Sequence, residues 1–391
     1  MQNNLADFSL LAYAFRSPEY SAHLKTIPED FVVDEISNTE LSGTGEHLWC
    51  WVEKQQQNTD WVAGKLAKWA QTSKKNIGYA GQKDRHALTC QWFSINLAGK
   101  QDPDIANFNV DGVRVIELKR HHRKLQRGDL KGNRFKITLR NFESILGKVD
   151  AFDLLQSNLE TRLNQIKKYG FPNYFGEQRF GWQGNNLLEA EKLFIASADK
   201  DAFRKQKQRK NQNQRHKQGL YISAARSWMF NELLSHRVEL QNWNQCIDGD
   251  LVKINSECKS LASKINERVY RLENLIDGVS KHELQPAGTL FGDAPLKTQG
   301  LAYELEKQVQ LKYANWMQGL QNMRAQADCR ALQVFPQNFN WQWTSTHQQN
   351  NNEAEKQQKL ELVLDFALPA GSFATALLRE LVKTVEPTKI Y

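Results

Sequence analysis

Asp84 is the residue whose surroundings most invite a chemical reading. It sits in Gly81-Gln82-Lys83-Asp84-Arg85-His86, within the segment NIGYAGQKDRHALTCQWF from Asn76 to Phe93. Gly78 and Gly81 flank the bulky Tyr79, which suits a loop with unusual backbone angles and close approach of a substrate. Lys83 and Arg85 should keep the carboxylate ionised, because an opposite charge within a few ångström favours the charged form. An ionised Asp in such a loop can act as a nucleophile or a general base. The same residues would also make an exposed turn with a salt-bridged Asp, and the loop alone leaves both readings open.

One other chemistry is excluded by residue type, and a second is only weakly supported. A nucleotide-phosphate loop needs a hydroxyl after its lysine to hold magnesium, and Asp84 follows Lys83 instead. Two-metal nuclease chemistry needs several convergent carboxylates, whereas this neighbourhood supplies one among cations. The five cysteines (Cys50, Cys90, Cys246, Cys258, Cys329) are odd in number and widely spaced, with no C-x-x-C pair, which argues against a disulfide framework and a zinc site. A reducing cytoplasm is the expected location. The apolar stretch from Leu5 to Phe15 is short, contains Asp7 and lacks a preceding basic region, so it does not read as a signal peptide. No later stretch is long enough to span a bilayer.

The elements that must position Asp84 follow from periodicity. Arg134–Arg140 and Leu360–Phe366 alternate apolar and polar residues and read as strands with one buried face. Asp30–Ile36, His47–Glu53, Gln91–Leu97 and Val113–Leu118 are further strands, rich in Val, Ile, Phe and Trp. Asp60 can cap a helix that turns Val62, Leu66, Trp69 and Ala70 inward. A second helix runs from Ala151 to Tyr169 and stops at Gly170, and a last one starts near Ser372. A chain of 391 residues suggests two domains. Alternation fades after Gly170 and returns at Leu360, so a mixed α/β domain, residues 1–169 plus 335–391, is interrupted by a second domain over 170–334. The polar, low-complexity stretch from Asn338 to Lys359 reads as an exposed loop.

The net charge of +8 is unevenly spread. Lys119–Lys136 holds eight Lys/Arg against the single acid Asp129, and Arg204–Lys217 holds seven and no acid. Without these two runs the chain carries 37 basic against 43 acidic residues, a balance of −6. Positive charge confined in this way is the footprint expected for a nucleic-acid phosphate backbone, although either run could also be a solvated surface.

Several motifs in order along the chain carry a resemblance. They are Pro28-Glu29-Asp30-Phe31-Val32-Val33, then Gly78-Tyr79-Ala80-Gly81-Gln82-Lys83-Asp84, then Gly132-Asn133-Arg134-Phe135. PNYFGEQRFG (Pro172 to Gly181), SAARS (Ser223 to Ser227) and PAGSFAT (Pro369 to Thr375) follow. From Lys25 to about Glu380 the chain resembles the TruD-type transfer RNA pseudouridine synthases. The resemblance implies a pseudouridine synthase catalytic domain, with a mixed and largely antiparallel sheet, interrupted by a TruD-type α+β insertion domain. It implies that a uridine of tRNA, uridine 13, is isomerised to pseudouridine, with no cofactor and no metal.

By motif, Asp84 corresponds to the family's essential aspartate. Phe31 and Phe373 match aromatics lining the uridine site, and Asn133 matches the asparagine that contacts the substrate. Phe135 and Lys83 belong to the same motifs, and Lys83 either positions a phosphate or the ribose or only solvates the loop. Lys25, just before PEDFVV, is the candidate ion-pair partner of Asp84. Gln178, Arg179 and Arg226 could contact RNA, or their motifs could be structural. Asp84 would attack C1′ or remove a ribose proton, a choice the sequence leaves open. Rival classes are a non-catalytic RNA-binding protein on the same scaffold and a metal-dependent nuclease. A monomer is expected, because no symmetric apolar stripe stands out.

Overall fold

Alternating sequence becomes sheet in the computed structural model, which describes residues 5–147, 152–199, 212–254, 257–260, 285–347 and 358–386. The strands are β1 (Tyr20–His23), β2 (Phe31–Ser37), β3 (His47–Lys54), β4 (Ile77–Tyr79), β5 (Leu88–Asn96), β6 (Val113–His121), β7 (Leu130–Ser144) and β8 (Phe171–Pro172). They continue with β9 (Leu251–Ile254), β10 (Glu257–Ser260), β11 (Gln285–Leu290), β12 (Asp328–Ala331), β13 (Gln333–Val334), β14 (Gln337–His347), β15 (Gln358–Pro369) and β16 (Lys383–Val385). The longer helices are α1 (Thr59–Trp69), α2 (Phe152–Tyr169), α3 (Asn185–Ala196), α4 (Gln212–Glu239), α5 (Gly300–Lys312), α6 (Ala314–Asn322) and α7 (Ala374–Leu381).

The chain divides into two compact units. One comprises Pro18–Gln156, Pro336–Ala374 and Val382–Tyr391 and holds the large sheet. Its strand order is β14-β15-β7-β2-β5-β3-β6, with β4 on β5 and β1 joined to β7 and β16. Among the described residues only β2·β5 and β1·β16 are parallel, so the sheet is mixed and largely antiparallel. Helix α1 covers one face: Val62, Ala63, Leu66 and Ala67 pack on Leu48, Cys50 and Val52 of β3, Phe93 and Ile95 of β5, and Val113 and Val115 of β6. Cross-strand rows on the β2–β7–β15 side align Glu35 with Asn133 and Leu368, and Val33 with Phe135 and Phe366. The other unit comprises Met1–Ser17, Ser157–Phe335 and Thr375–Leu381. It carries the sheet β10-β9-β11-β12, the pair β13-β8 and helices α3 to α6.

Four expectations are corrected. The stretch from Asn338 is not a loop from its start: β14 pairs with β15 as far as His347, with Phe339 buried and Trp341 and Trp343 half-buried between exposed Asn340 and Gln342. Residues 348–357 lie outside the described residues. Helix α1 begins one residue earlier than Asp60, with Asn58 at the N-cap position and Asp60 in the first turn. Cys329 is disulfide-bonded, whereas Cys50, Cys90 and Cys246 are free and buried. Finally, neither Gly78 nor Gly81 is in the left-handed region. Gly78 is needed for space: a Cβ there would collide with the Leu125 carbonyl oxygen and lie 2.6 Å from Ser94 Oγ, while one at Gly81 would meet open space.

Gly78→Ala should therefore cost about 2 kcal/mol by overpacking against backbone, and Gly81→Ala less than about 0.5 kcal/mol. Urea midpoints measure both, and equal midpoints for the two variants would refute the packing explanation.

Candidate active site

The loop between β4 and β5 carries Asp84 to the end of the central strands. Asp84 Oδ2 lies 2.8 Å from Lys25 Nζ, and Oδ1 accepts the His86 backbone N–H at 3.0 Å. The Asp84 side chain is 26% exposed, so it is sheltered yet reachable. Burial alone would push its carboxyl up, but the Lys25 ammonium and the His86 N–H outweigh burial and hold it below the usual 3.8. Lys83 and Arg85 do not supply this charge, contrary to the expectation from their adjacency. Consecutive side chains on an extended loop point apart: Arg85 Nε donates to the Gln56 carbonyl at 3.0 Å, and Lys83 turns to the sheet.

Lys25 follows β1 in a left-handed conformation, φ 60°. Its Nζ also pairs with Glu386 Oε1 at 3.0 Å and lies 4.8 Å from the centre of the Phe31 ring. Burial opposes its charge, but the two carboxylates raise its pKa above the ordinary value. Phe31 opens β2 and packs edge-on against Phe135, centroids 6.2 Å apart, and Phe135 stacks on Phe366 at 5.5 Å. Phe31 and Phe135 are thus mostly buried in an aromatic row. Phe373 is half-buried in the turn after β15, four residues beyond Pro369, which pairs with Gly132.

Lys83 Nζ donates to Asn133 Oδ1 at 2.7 Å and lies 3.1 Å from Glu35 Oε2, spanning one cross-strand pair. Burial raises the Glu35 carboxyl, and Lys83 opposes the shift. Because an ammonium only donates, the Asn133 amide oxygen must face Lys83, leaving its NH₂ as a donor toward any ligand.

Sequence reasoning missed Glu35 and Lys54, yet each left a signal. Phe31, Val33 and Glu35 share the buried side of β2, and Leu48, Cys50, Val52 and Lys54 that of β3. An acid or a lysine in an apolar period-2 row is out of place unless it has a partner. Around the site, Lys119, Arg127, Lys131 and Lys136 of the first basic run are exposed and carry no ion pair among the described residues, while Arg123 and Arg134 pair with Asp129 and Asp365. Arg127 Cζ lies 5.4 Å from the Tyr79 ring, so this run borders the Asp84 loop. Of the second run, residues 204–211 lie outside the described residues, and Arg215 and Lys217 are exposed. In the other unit, Arg179 donates to Ser227 and Ser223, Arg226 donates to the Phe291 carbonyl at 2.7 Å, and Gln178 is exposed.

The site thus holds an ionised carboxylate paired with Lys25, whose ammonium lies over the first ring of an aromatic row, and an amide donor engaged by the neighbouring Lys83. The fold matches the crystal structure of a candidate tRNA pseudouridine synthase D from Methanosarcina mazei, with a TM-score of 0.69 at 21% identity over 95% of this chain and 96% of that one. It is therefore the fold of that class. Residues 8–205 and 200–381 match the family tRNA pseudouridine synthase D (TruD). A tRNA pseudouridine synthase D from Hydrogenovibrio crunogenus is 43% identical over 97% of both chains. One from Aeromonas hydrophila is 37% identical over 96% of this chain and 95% of its own. The chain belongs to the tRNA pseudouridine synthase D family, whose members are isomerases. Among the described residues no helix is long and apolar enough to cross a membrane.

The Lys25 pairing makes a prediction for Asp84. Its depressed pKa contributes stability that is present above the unfolded-state value and lost as pH falls through the folded one, below 3.8. In Lys25→Met burial and the His86 interactions remain and the counterion is gone, so the Asp84 carboxyl should titrate higher than in the wild type. Carboxyl ¹³C NMR reads this directly; an unchanged titration would show that Lys25 does not set the charge.

Proposed function

We propose that this chain isomerises a uridine of transfer RNA, uridine 13, to pseudouridine, with Asp84 as the acting carboxylate. The observation that carries the proposal is the ionised, half-sheltered Asp84, held 2.8 Å from Lys25 beside Phe31. Residues 1–169 plus 335–391 are assigned as the catalytic domain, and 170–334 as the insertion domain of the family. The enzyme acts in this proposal as a monomer in the cytoplasm, without a cofactor, since isomerisation is redox-neutral.

A base inside a helix is out of reach, so the target nucleotide must leave the stack. Phe31 and Phe373 then face the uracil, each aromatic contact recovering about 1–3 kcal/mol of lost stacking, with Phe135 packed behind Phe31. Asn133, its oxygen engaged by Lys83, donates to a uracil carbonyl. The N1–C1′ bond breaks, uracil turns, the C5–C1′ bond forms, C5 loses its proton and N1 ends protonated. Asp84 either adds to C1′ as uracil departs and leaves again as C5 attacks C1′, or removes a ribose proton to expel uracil and returns it once the C5–C1′ bond has formed, and both require the carboxylate ionised. The exposed cations of Lys119–Lys136 would contact backbone phosphates near the target, so binding should weaken with salt.

The test is release of tritium from tRNA labelled at uridine C5. Release by the wild type with EDTA present, lowered at least about 10³-fold in Asp84→Asn, is the expected result. Binding without release would indicate a non-catalytic RNA-binding protein, and cleavage abolished by EDTA a nuclease.

A further inference from the structure

Residues Gly81 to Asp84 lie outside any strand or helix, so the backbone that aims the carboxylate needs other support. Three side chains supply it. Gln91 Nε2 donates to the Gly81 carbonyl at 2.9 Å, Thr59 Oγ1 accepts the Lys83 N–H at 3.0 Å, and Thr59 donates in turn to Gln91 Oε1 at 3.1 Å. Lys54, the last residue of β3, donates from Nζ to the Asp84 carbonyl at 2.9 Å, with the Lys83 carbonyl at 3.5 Å. Of the three, Lys54 alone is charged and alone touches the peptide of Asp84 itself.

Lys54 is fully buried, and it makes no ion pair with a carboxylate among the described residues. An ammonium placed so is costly unless its position serves a purpose. A neutral donor of the same reach would hold a carbonyl at less expense, and a methionine would fill the volume. What a lysine adds is a charge-assisted bond, shorter and stronger than a neutral one, on the carbonyl of the acting residue.

We propose that Lys54 is a positioning residue of the reaction: its ammonium pins the Asp84 peptide so that the carboxylate meets Lys25 and the substrate in one orientation. The proposal rests on the reading of Asp84 as the acting carboxylate. Lys54 does not touch the substrate and acts only through the loop. The charged groups that face it are Asp84 and Lys83. Burial pushes its pKa down to about 8, Asp84 opposing and Lys83 adding to the shift. The wild-type enzyme should therefore lose this hold as pH rises past about 8. Stability should not fall with it. Between that value and the ordinary 10.5 the unfolded chain binds more protons than the folded one, so this group's contribution to stability rises with pH.

Single-turnover isomerisation of saturating labelled tRNA tests the proposal in the wild type, Lys54→Met and Asp84→Asn, alongside tRNA affinity and melting temperature. A misplacement of about 1 Å costs on the order of 10²-fold, so Lys54→Met should lose about that much rate, keep its affinity within about threefold, and lack the decline above pH 8 seen in the wild type. A rate within about threefold of wild type, or the same decline persisting in the variant, overturns the proposal. If the variant melts early, the wild-type profile decides: a decline near pH 8 without a fall in melting temperature supports the proposal, and its absence defeats it. Full turnover in Asp84→Asn would instead defeat the reading beneath it, so the two failures are separable.

Discussion

A carboxylate that must stay ionised inside a partly closed site needs a cation at hydrogen-bond distance, and the placement of Lys25 against Asp84 answers that requirement. Much of the large-sheet unit can be understood as arranging that contact. Strand β1 delivers Lys25, whose left-handed backbone turns the chain toward Asp84, and β16 lies parallel beside β1, bringing Glu386 to the same ammonium. Glu386, Lys25 and Asp84 thus form an alternating chain, and Lys83 with Glu35 a second alternating pair on the neighbouring strands. Around Asp84, Lys25, Lys83 and Glu35 each have an opposite partner, and Lys54 a pair of carbonyls. Alternation limits the desolvation penalty that a concentrated group of ions would otherwise carry.

The division of labour within PEDFVVDE follows from the two-residue period of a strand. Phe31 faces Lys25, Val33 meets Phe135, and Glu35 meets Asn133 and Lys83. One strand face thereby supplies an aromatic surface at one end and an electrostatic anchor at the other, while Gly132 lets β15 approach β7 where a side chain would strike the Leu368 carbonyl. Rigid elements hold these groups, and the irregular loop carries only Asp84 and its immediate neighbours.

Much of this was legible in the residues. The strands β7 and β15 follow from alternation, and β2, β3, β5 and β6 from their Val, Ile, Phe and Trp content, β3 and β5 being buried on both faces along most of their length. Strand β14 was hidden because its polar residues merge with the Gln- and Asn-rich stretch after it, although Phe339, Trp341 and Trp343 do alternate. The short strands β9 to β13 gave too few periods to read. At the site, motif order brought Asp84, Asn133, Phe31 and Phe373 to attention, together with Lys25 as the candidate partner of Asp84, and Lys25 does stand 2.8 Å from its carboxylate. Adjacency alone pointed to Lys83 and Arg85 instead, because charge partners are decided by where side chains point and not by spacing. Glu35 and Lys54 were readable as charged intruders in apolar rows.

The central claim is that this site converts one uridine of tRNA to pseudouridine. Its most direct test is position-resolved mass spectrometry of unmodified tRNA transcripts after incubation with the protein, with a matched transcript carrying cytidine at position 13. The account predicts one pseudouridine per tRNA, at position 13, and none in the matched transcript. Pseudouridine at another position, or no pseudouridine with intact and folded protein, would contradict it.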